Sequence, residues 1–156
     1  MDYVHDVDII ERYAELNRQT IIKEICKAMK WKEIESFSTV HNYLDTKNMI
    51  LRKGSISAAL GEKVIIPMNM RDGSLICIGK GNEDWNYSAP HGAGRLLARS
   101  DAKESISMKD YKESMKGIYT TCVSNSTIDE SPMAYKDMNE IIRNIEDTVE
   151  IVDIFK

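Results

Sequence analysis

A chain of 156 residues with 42% hydrophobic and 29% charged residues has room for one packed domain, and its composition excludes a disordered or fibrous chain. A net charge of −4 and a pI near 5.4 exclude a broadly basic nucleic-acid binder, so any RNA contact must come from a local basic patch. The longest apolar runs, such as Val64-Ile65-Ile66, are too short to span a bilayer, and the residues from Met1 to Asp6 lack the basic and apolar regions of a secretory leader.

From Asp6 to about Trp31, apolar residues (Ile10, Tyr13, Ala14, Ile21, Ile22, Ile25, Cys26, Met29) recur at helical spacing without Gly or Pro. They predict an amphipathic packing helix, or two helices broken near Asn17. Ser36 to Leu44 is β-rich and reads as a strand, Asp45 to Asn48 as a turn, and Met49 to Ala58 as a returning strand bearing Arg52-Lys53. After Gly61, Lys63 to Met70 is a third strand running into a loop and Ser74 to Gly79 a fourth; Lys80 to Asn86 is turn-like. Arg95 to Lys103 predicts a short helix. Ser107-Met108-Lys109-Asp110 reads as a capping box with Asp in place of Glu, opening a helix through Met115 that ends at Gly117. Tyr119 to Val123 predicts a short strand, and Ser131-Pro132 an N-cap and N1 pair opening helical stretches to about Ile145. Thr148 to Ile154 alternates, predicting a last strand. Strands and helices mix without a βαβ rhythm, so the fold class is α+β, in a single domain over residues 1–156.

Cys26, Cys77 and Cys122 are odd in number and form no Cys-x-x-Cys pair, which argues against a closed zinc site. Cys26 and Cys77 read as buried thiols in a reducing cytoplasm. The segment with most chemistry is Ser88-Ala89-Pro90-His91-Gly92-Ala93-Gly94-Arg95. Pro90 pushes its predecessor toward an extended backbone, the glycines allow close approach to a ligand, and Arg95 carries a planar cationic fork suited to phosphate. Such a loop presents an imidazole to a phosphate group. On their own residues, His41 reads as a hydrogen-bonded strand histidine, Arg52-Lys53-Gly54 as a solvated pair, and Pro67-Met68-Asn69-Met70 as a strand exit.

His91-Gly92-Ala93-Gly94-Arg95, with Arg99 following, resembles the signature of the RtcB-type RNA-splicing ligases. His41-Asn42 and then Arg52-Lys53-Gly54 are similar to that family's order. Pro67, Met70 and Ser74 resemble its nucleotide loop, in which Gly and Ser usually stand where this chain has Met68 and Asn69. The resemblance covers essentially the whole chain but only the C-terminal part of the family's protein, and implies the corresponding part of the RtcB fold.

The resemblance implies an RNA ligase of tRNA splicing and RNA repair, joining a 3′-phosphate (or 2′,3′-cyclic phosphate) to a 5′-hydroxyl. His91 would be the catalytic nucleophile, guanylylated by GTP in a Mn²⁺-dependent step. The nucleotide would touch His41, Asn42, Pro67, Met68, Asn69, Met70, Ser74, His91, Gly92, Ala93 and Gly94. Arg52, Lys53 and Arg95 would meet substrate phosphates, and His41 would bind Mn²⁺, a cation that suits imidazole. Asp6 with Glu15-Leu16-Asn17-Arg18 resembles the family's supporting helix. Leu51 stands where many members carry a histidine. The family's upstream half, which supplies an aspartate, a cysteine and two histidines to the metal, has no counterpart here. A guanine-packing lysine is expected to lie a few residues beyond Lys156. The implied partners are RNA ends and an N-terminal-half chain, with no membrane and no DNA; the implied setting is cytoplasmic. The alternatives are a non-catalytic guanine-nucleotide- or RNA-binding remnant, a split subunit of the family, and a phosphohistidine carrier using His91.

Overall fold

The computed structural model describes residues 2–156, and its mixture of helices with small antiparallel sheets is α+β. The chain divides into two compact units, Met1–Ile56 and Ser57–Lys156.

In the first unit α1 (Asp2–Met29) is one unbroken helix. Asn17 does not interrupt it, because its neighbours tie successive turns. Arg18 Nη2 pairs with Glu15 at 2.5 Å and Thr20 Oγ1 donates to Leu16 O at 2.8 Å. The Arg18 guanidinium holds the Glu15 carboxyl below the usual carboxylate range. The helix ends where Lys30 turns left-handed (φ 56°) and Trp31 N–H donates to Cys26 O. Residues 36–40 are irregular rather than strand: the Ser36 and Ser38 hydroxyls donate to Glu33 and Glu15 instead of serving a ladder. Strand β1 (His41–Asp45) pairs antiparallel with β2 (Ile50–Ser57). Asp45 Oδ1 accepts from Lys47 N and Asn48 N to close the turn, and the Asn48 amide keeps the Asp45 carboxyl below its ordinary value.

The second unit is built on a sheet of β3 (Lys63–Asn69), β4 (Gly73–Gly79) and β6 (Val149–Phe155), with β4 central and both pairings antiparallel. Alternation sends Val64, Ile66, Met68, Leu75, Cys77 and Val149 inward, where Ile141 and Ile145 of α4 (Met138–Ile145) are also buried. Burial pushes the Cys77 thiol up to about 11, which keeps it protonated and unreactive. Cys26 is only half-buried and Cys122 is exposed. The β3–β4 turn needs glycine at Gly73 (φ +83°), where a Cβ would stand 2.1 Å from Phe155 O.

Strand β5 (Ser88–Pro90) leads into the histidine segment. Helix α2 (Arg99–Ser105) starts four residues later than expected, because the chain before it is engaged elsewhere: Arg95 bridges Tyr135 and Leu96 N–H donates to Ala134 O at 2.8 Å. Helix α3 (Met108–Ser114) opens as expected, Ser107 Oγ accepting from Asp110 N–H at 3.1 Å. Residues 119–123 form no strand, correcting the expectation. Thr120 Oγ1 accepts from Cys122 N–H, and the Tyr111 and Thr127 hydroxyls both donate to Cys122 O. A 3₁₀ helix over Asn125–Glu130 follows, and Ser131-Pro132 opens a second 3₁₀ turn (Pro132–Ala134) before Asp137 caps α4. Tyr111, Met115 and Ile128 form a second small core, with Met70 packed against it.

Candidate functional site

The histidine loop is fixed from both sides. Ala93, itself buried, donates its N–H to Pro67 O at 3.1 Å, and the backbones there are so close that a Cβ on Gly92 would lie 3.0 Å from Pro67 O. Two residues on, Gly94 takes φ +74° and its carbonyl accepts Lys136 N–H at 3.1 Å. His91, at the head of this loop, is exposed.

His91 and the loop from Gly92 to Arg95 form one wall of an open cleft of about 600 Å³. Pro67, Met68, Asn69, Met70, Gly73 and Ser74, from the end of β3 and the start of β4, form the second wall. Arg99, Glu130, Tyr135, Phe155 and Lys156 complete it. The structure thus gathers every second-unit residue singled out in the sequence. Met70 reaches it from the second core, its Sδ 3.9 Å from the Tyr111 hydroxyl oxygen. Asn69 serves the β3–β4 turn: its Oδ1 accepts from Arg71 N and Asp72 N, each at 3.0 Å, and its amide donates to Asp72. The Arg71 guanidinium beside Asp72 holds that carboxyl below its usual range.

Arg95 differs from the expectation of an open fork. Its Nε donates to Leu97 O at 3.0 Å, Nη2 to Asp129 O, and Nη1 to Tyr135 OH at 3.2 Å, with Glu130 at 3.4 Å and the Tyr135 ring 5.0 Å away. An arginine so engaged clamps the loop to the segment after α3 and has little left for phosphate. Tyr135 OH also donates to Glu130 Oε2. Burial, then the Glu130 carboxylate, raises the Tyr135 phenol above its ordinary value. The exposed cations at the cleft are instead Arg99 and Lys156, neither identified as a site residue from the sequence. Lys156 directly follows β6 and lies beside Gly73, where a Cβ on the glycine would stand 3.1 Å from the Lys156 Cα. Its recognition needed the β4–β6 pairing, Ser74↔Phe155.

In the first unit, Asn42, Arg52 and Lys53 line a separate groove of about 550 Å³ against Tyr3, Val7, Ile10 and Glu11 of α1. Asn42 occupies a bulge in β1 with φ 59°, its Oδ1 accepting Gly54 N–H at 2.7 Å. Arg52 is 2% exposed, its Nη1 donating to Tyr43 OH at 3.0 Å beside Asp45 at 3.5 Å. It braces the hairpin, a role its pairing with Lys53 in sequence does not reveal, while Lys53 is exposed. His41 is exposed at the start of β1. Among the described residues no three His, Cys, Asp or Glu side chains gather to hold a metal. The single imidazole of His41 is not by itself a donor set for manganese. Among the described residues no helix is long and apolar enough to cross a membrane.

Residues 1–156 match the family model described as tRNA-splicing ligase RtcB. RNA-splicing ligase RtcB of Escherichia coli is 31% identical over 97% of this chain and 41% of its own length. tRNA-splicing ligase RtcB of Aeropyrum pernix is 40% identical over 53% of this chain and 18% of its own length. RNA-splicing ligase RtcB of Mycobacterium tuberculosis is 36% identical over 54% and 20% respectively. The chain spans about two-fifths of the Escherichia coli relative. By the match along its whole length, it belongs to the RtcB family of RNA-splicing ligases.

Proposed function

We propose that this chain carries the nucleotide-transfer step of an RtcB-type RNA ligase, with His91 as nucleophile and GTP as donor. The observation that supports this reading is the exposure of His91 on a glycine-flanked loop, at a cleft it shares with Arg99 and Lys156. A ring nitrogen of His91 uses its lone pair to form an N–P bond to the α-phosphorus. The bond to the bridging oxygen breaks, and pyrophosphate leaves with that electron pair. An RNA 3′-phosphate oxygen then attacks the same phosphorus and His91 departs with its electrons. Finally an RNA 5′-hydroxyl attacks the 3′-phosphate, loses its proton to solvent, and expels GMP.

The chain's own residues orient and neutralise. Gly92 and Gly94 let backbone approach the phosphate, Arg99 and Lys156 face the charge that builds on its oxygens, and Arg95 keeps the loop in place. Pro67, Met68, Met70, Ser74 and Phe155 wall the base and ribose. Lys53, with Asn42 and Arg52 behind it, offers the first unit's groove to RNA phosphates. Manganese would need ligands besides His41, which alone could not hold it.

The test is intact-mass measurement of the chain after incubation with GTP and Mn²⁺. One added GMP, absent in His91→Ala, is the expected result. Tight GTP retention without an adduct indicates a nucleotide-binding module, and neither adduct nor retention overturns both readings.

A further inference from the structure

Two of the cleft's cations are already facing an anion. Glu130, at the end of the 3₁₀ helix and half-exposed in the cleft, places Oε1 3.4 Å from Arg95 Nη1 and 3.4 Å from Arg99 Nη2. Its Oε2 accepts from Tyr135 OH. The two arginines are not held alike. Arg95 is 24% exposed and fastened by Leu97 O, Asp129 O and Tyr135 OH besides the carboxylate. Arg99 is 73% exposed, and its ionic contacts are Glu130 at 3.4 Å and Asp129 at 3.8 Å. Asp129 has a second cation in Lys103, also at 3.8 Å, so it stays neutralised if Arg99 swings away. Glu130 is likewise left with Arg95 and Tyr135. Arg99, which unlike Lys103 lines the cleft, can therefore exchange partners there without stranding a charge. Loose, exposed pairs of this kind hold weakly.

From this geometry we infer that Glu130 is a placeholder anion: it occupies Arg99 in the empty cleft and is displaced there by an incoming polyphosphate, so it lowers the cleft's affinity for phosphate anions. The inference rests on reading the cleft as a phosphate site. Glu130 acts through Arg99 and is a positioning residue with no contact to reacting atoms. A polyphosphate, with several charged oxygens, outcompetes a single carboxylate for the fork, whereas a lone monoanion gains little by the exchange. Glu130 thereby favours a nucleoside triphosphate or pyrophosphate over singly charged anions that reach the cleft.

The experiment is calorimetric titration of the full chain with inorganic pyrophosphate and with GTP at fixed ionic strength. Glu130→Gln keeps the side chain's size and an acceptor oxygen while removing the charge, and is expected to tighten pyrophosphate binding by roughly threefold to tenfold. In an Arg99→Gln background that gain should vanish, which a merely structural role for Glu130 would not produce. Glu130→Asp, which withdraws the carboxylate by one methylene, should give a smaller gain in the same direction and serves if the Gln variant fails to fold. Unchanged or weaker pyrophosphate binding in the folded variants, or a gain that persists without Arg99, overturns the inference while leaving the cleft reading intact. Failure of the unaltered chain and all variants to bind either ligand overturns both.

Discussion

In Ser57–Lys156, apolar side chains alternate along three paired strands and leave solvent altogether: Ile66, Leu75 and Cys77 are each fully buried. In Met1–Ile56, residues of the same kind lie along α1, and Ile10, Tyr13 and Leu16 stay 64%, 69% and 63% exposed. The difference lies in partners. A strand obtains neighbours from its own hairpin, as β4 does from β3, whereas α1 meets the β1–β2 hairpin along one side and leaves much of its apolar face to solvent. The comparison explains where a site can be held firmly. The His91 loop is held from several sides, by Pro67 O of β3, by Lys136 N–H and by the Arg95 clamp. The first-unit candidates rest on one bulged hairpin.

The largest effect expected from this contrast is in stability. Leu75→Ala should lower unfolding free energy by about 2–5 kcal/mol in denaturant titrations, while Leu16→Ala should stay within about 0.5 kcal/mol. Equal losses would break the comparison. Arg95→Ala comes next. Removing its charge-assisted bonds should cost about 2–3 kcal/mol and loosen the backbone amides from Ala93 to Leu96 in hydrogen exchange. Gly94→Ala should cost about 1–2 kcal/mol, because φ +74° is strained for any residue with a Cβ. Lys156→Ala should leave the melting temperature in place and weaken GTP binding about fivefold, a separation readable by paired calorimetry and melting curves.

The smallest effect is a pH dependence at Tyr135. A phenol raised above its ordinary value of 10 stabilises the folded state fully below pH 10. That contribution is lost as pH rises through the higher folded value. The melting temperature should therefore fall more steeply above pH 10 than in Tyr135→Phe. Parallel curves would show that burial and Glu130 together do not raise the Tyr135 phenol.

Much of this was legible in the residues. Alternation marked β3, β4 and β6, Ser107 announced α3, and proline with two glycines announced the histidine loop. The misreadings share one cause, which is competition by non-local or side-chain partners. Arg95 to Ala98 has helix-compatible residues, but Tyr135 and Ala134 hold that backbone in a bridge. Residues 119–123 have strand residues, yet Thr120, Tyr111 and Thr127 take up their polar groups. In the site, His91 and its glycines were evident because a local pattern forms them. Glu130, Tyr135 and Lys156 come from distant segments and carry no local signal, while Arg99 follows the loop closely but gains its place at the cleft only through the fold. In the sequence Arg52 and Arg95 look like open cations, because nothing local shows that Tyr43 and Tyr135 accept from them.

The central claim is that His91 bonds to phosphorus, and peptide mapping of the chain after exposure to GTP and Mn²⁺ tests it most directly. GMP is expected on the peptide containing His91 and on no other, with none in His91→Ala. GMP on a lysine-bearing peptide, or an unchanged adduct in His91→Ala, would contradict it.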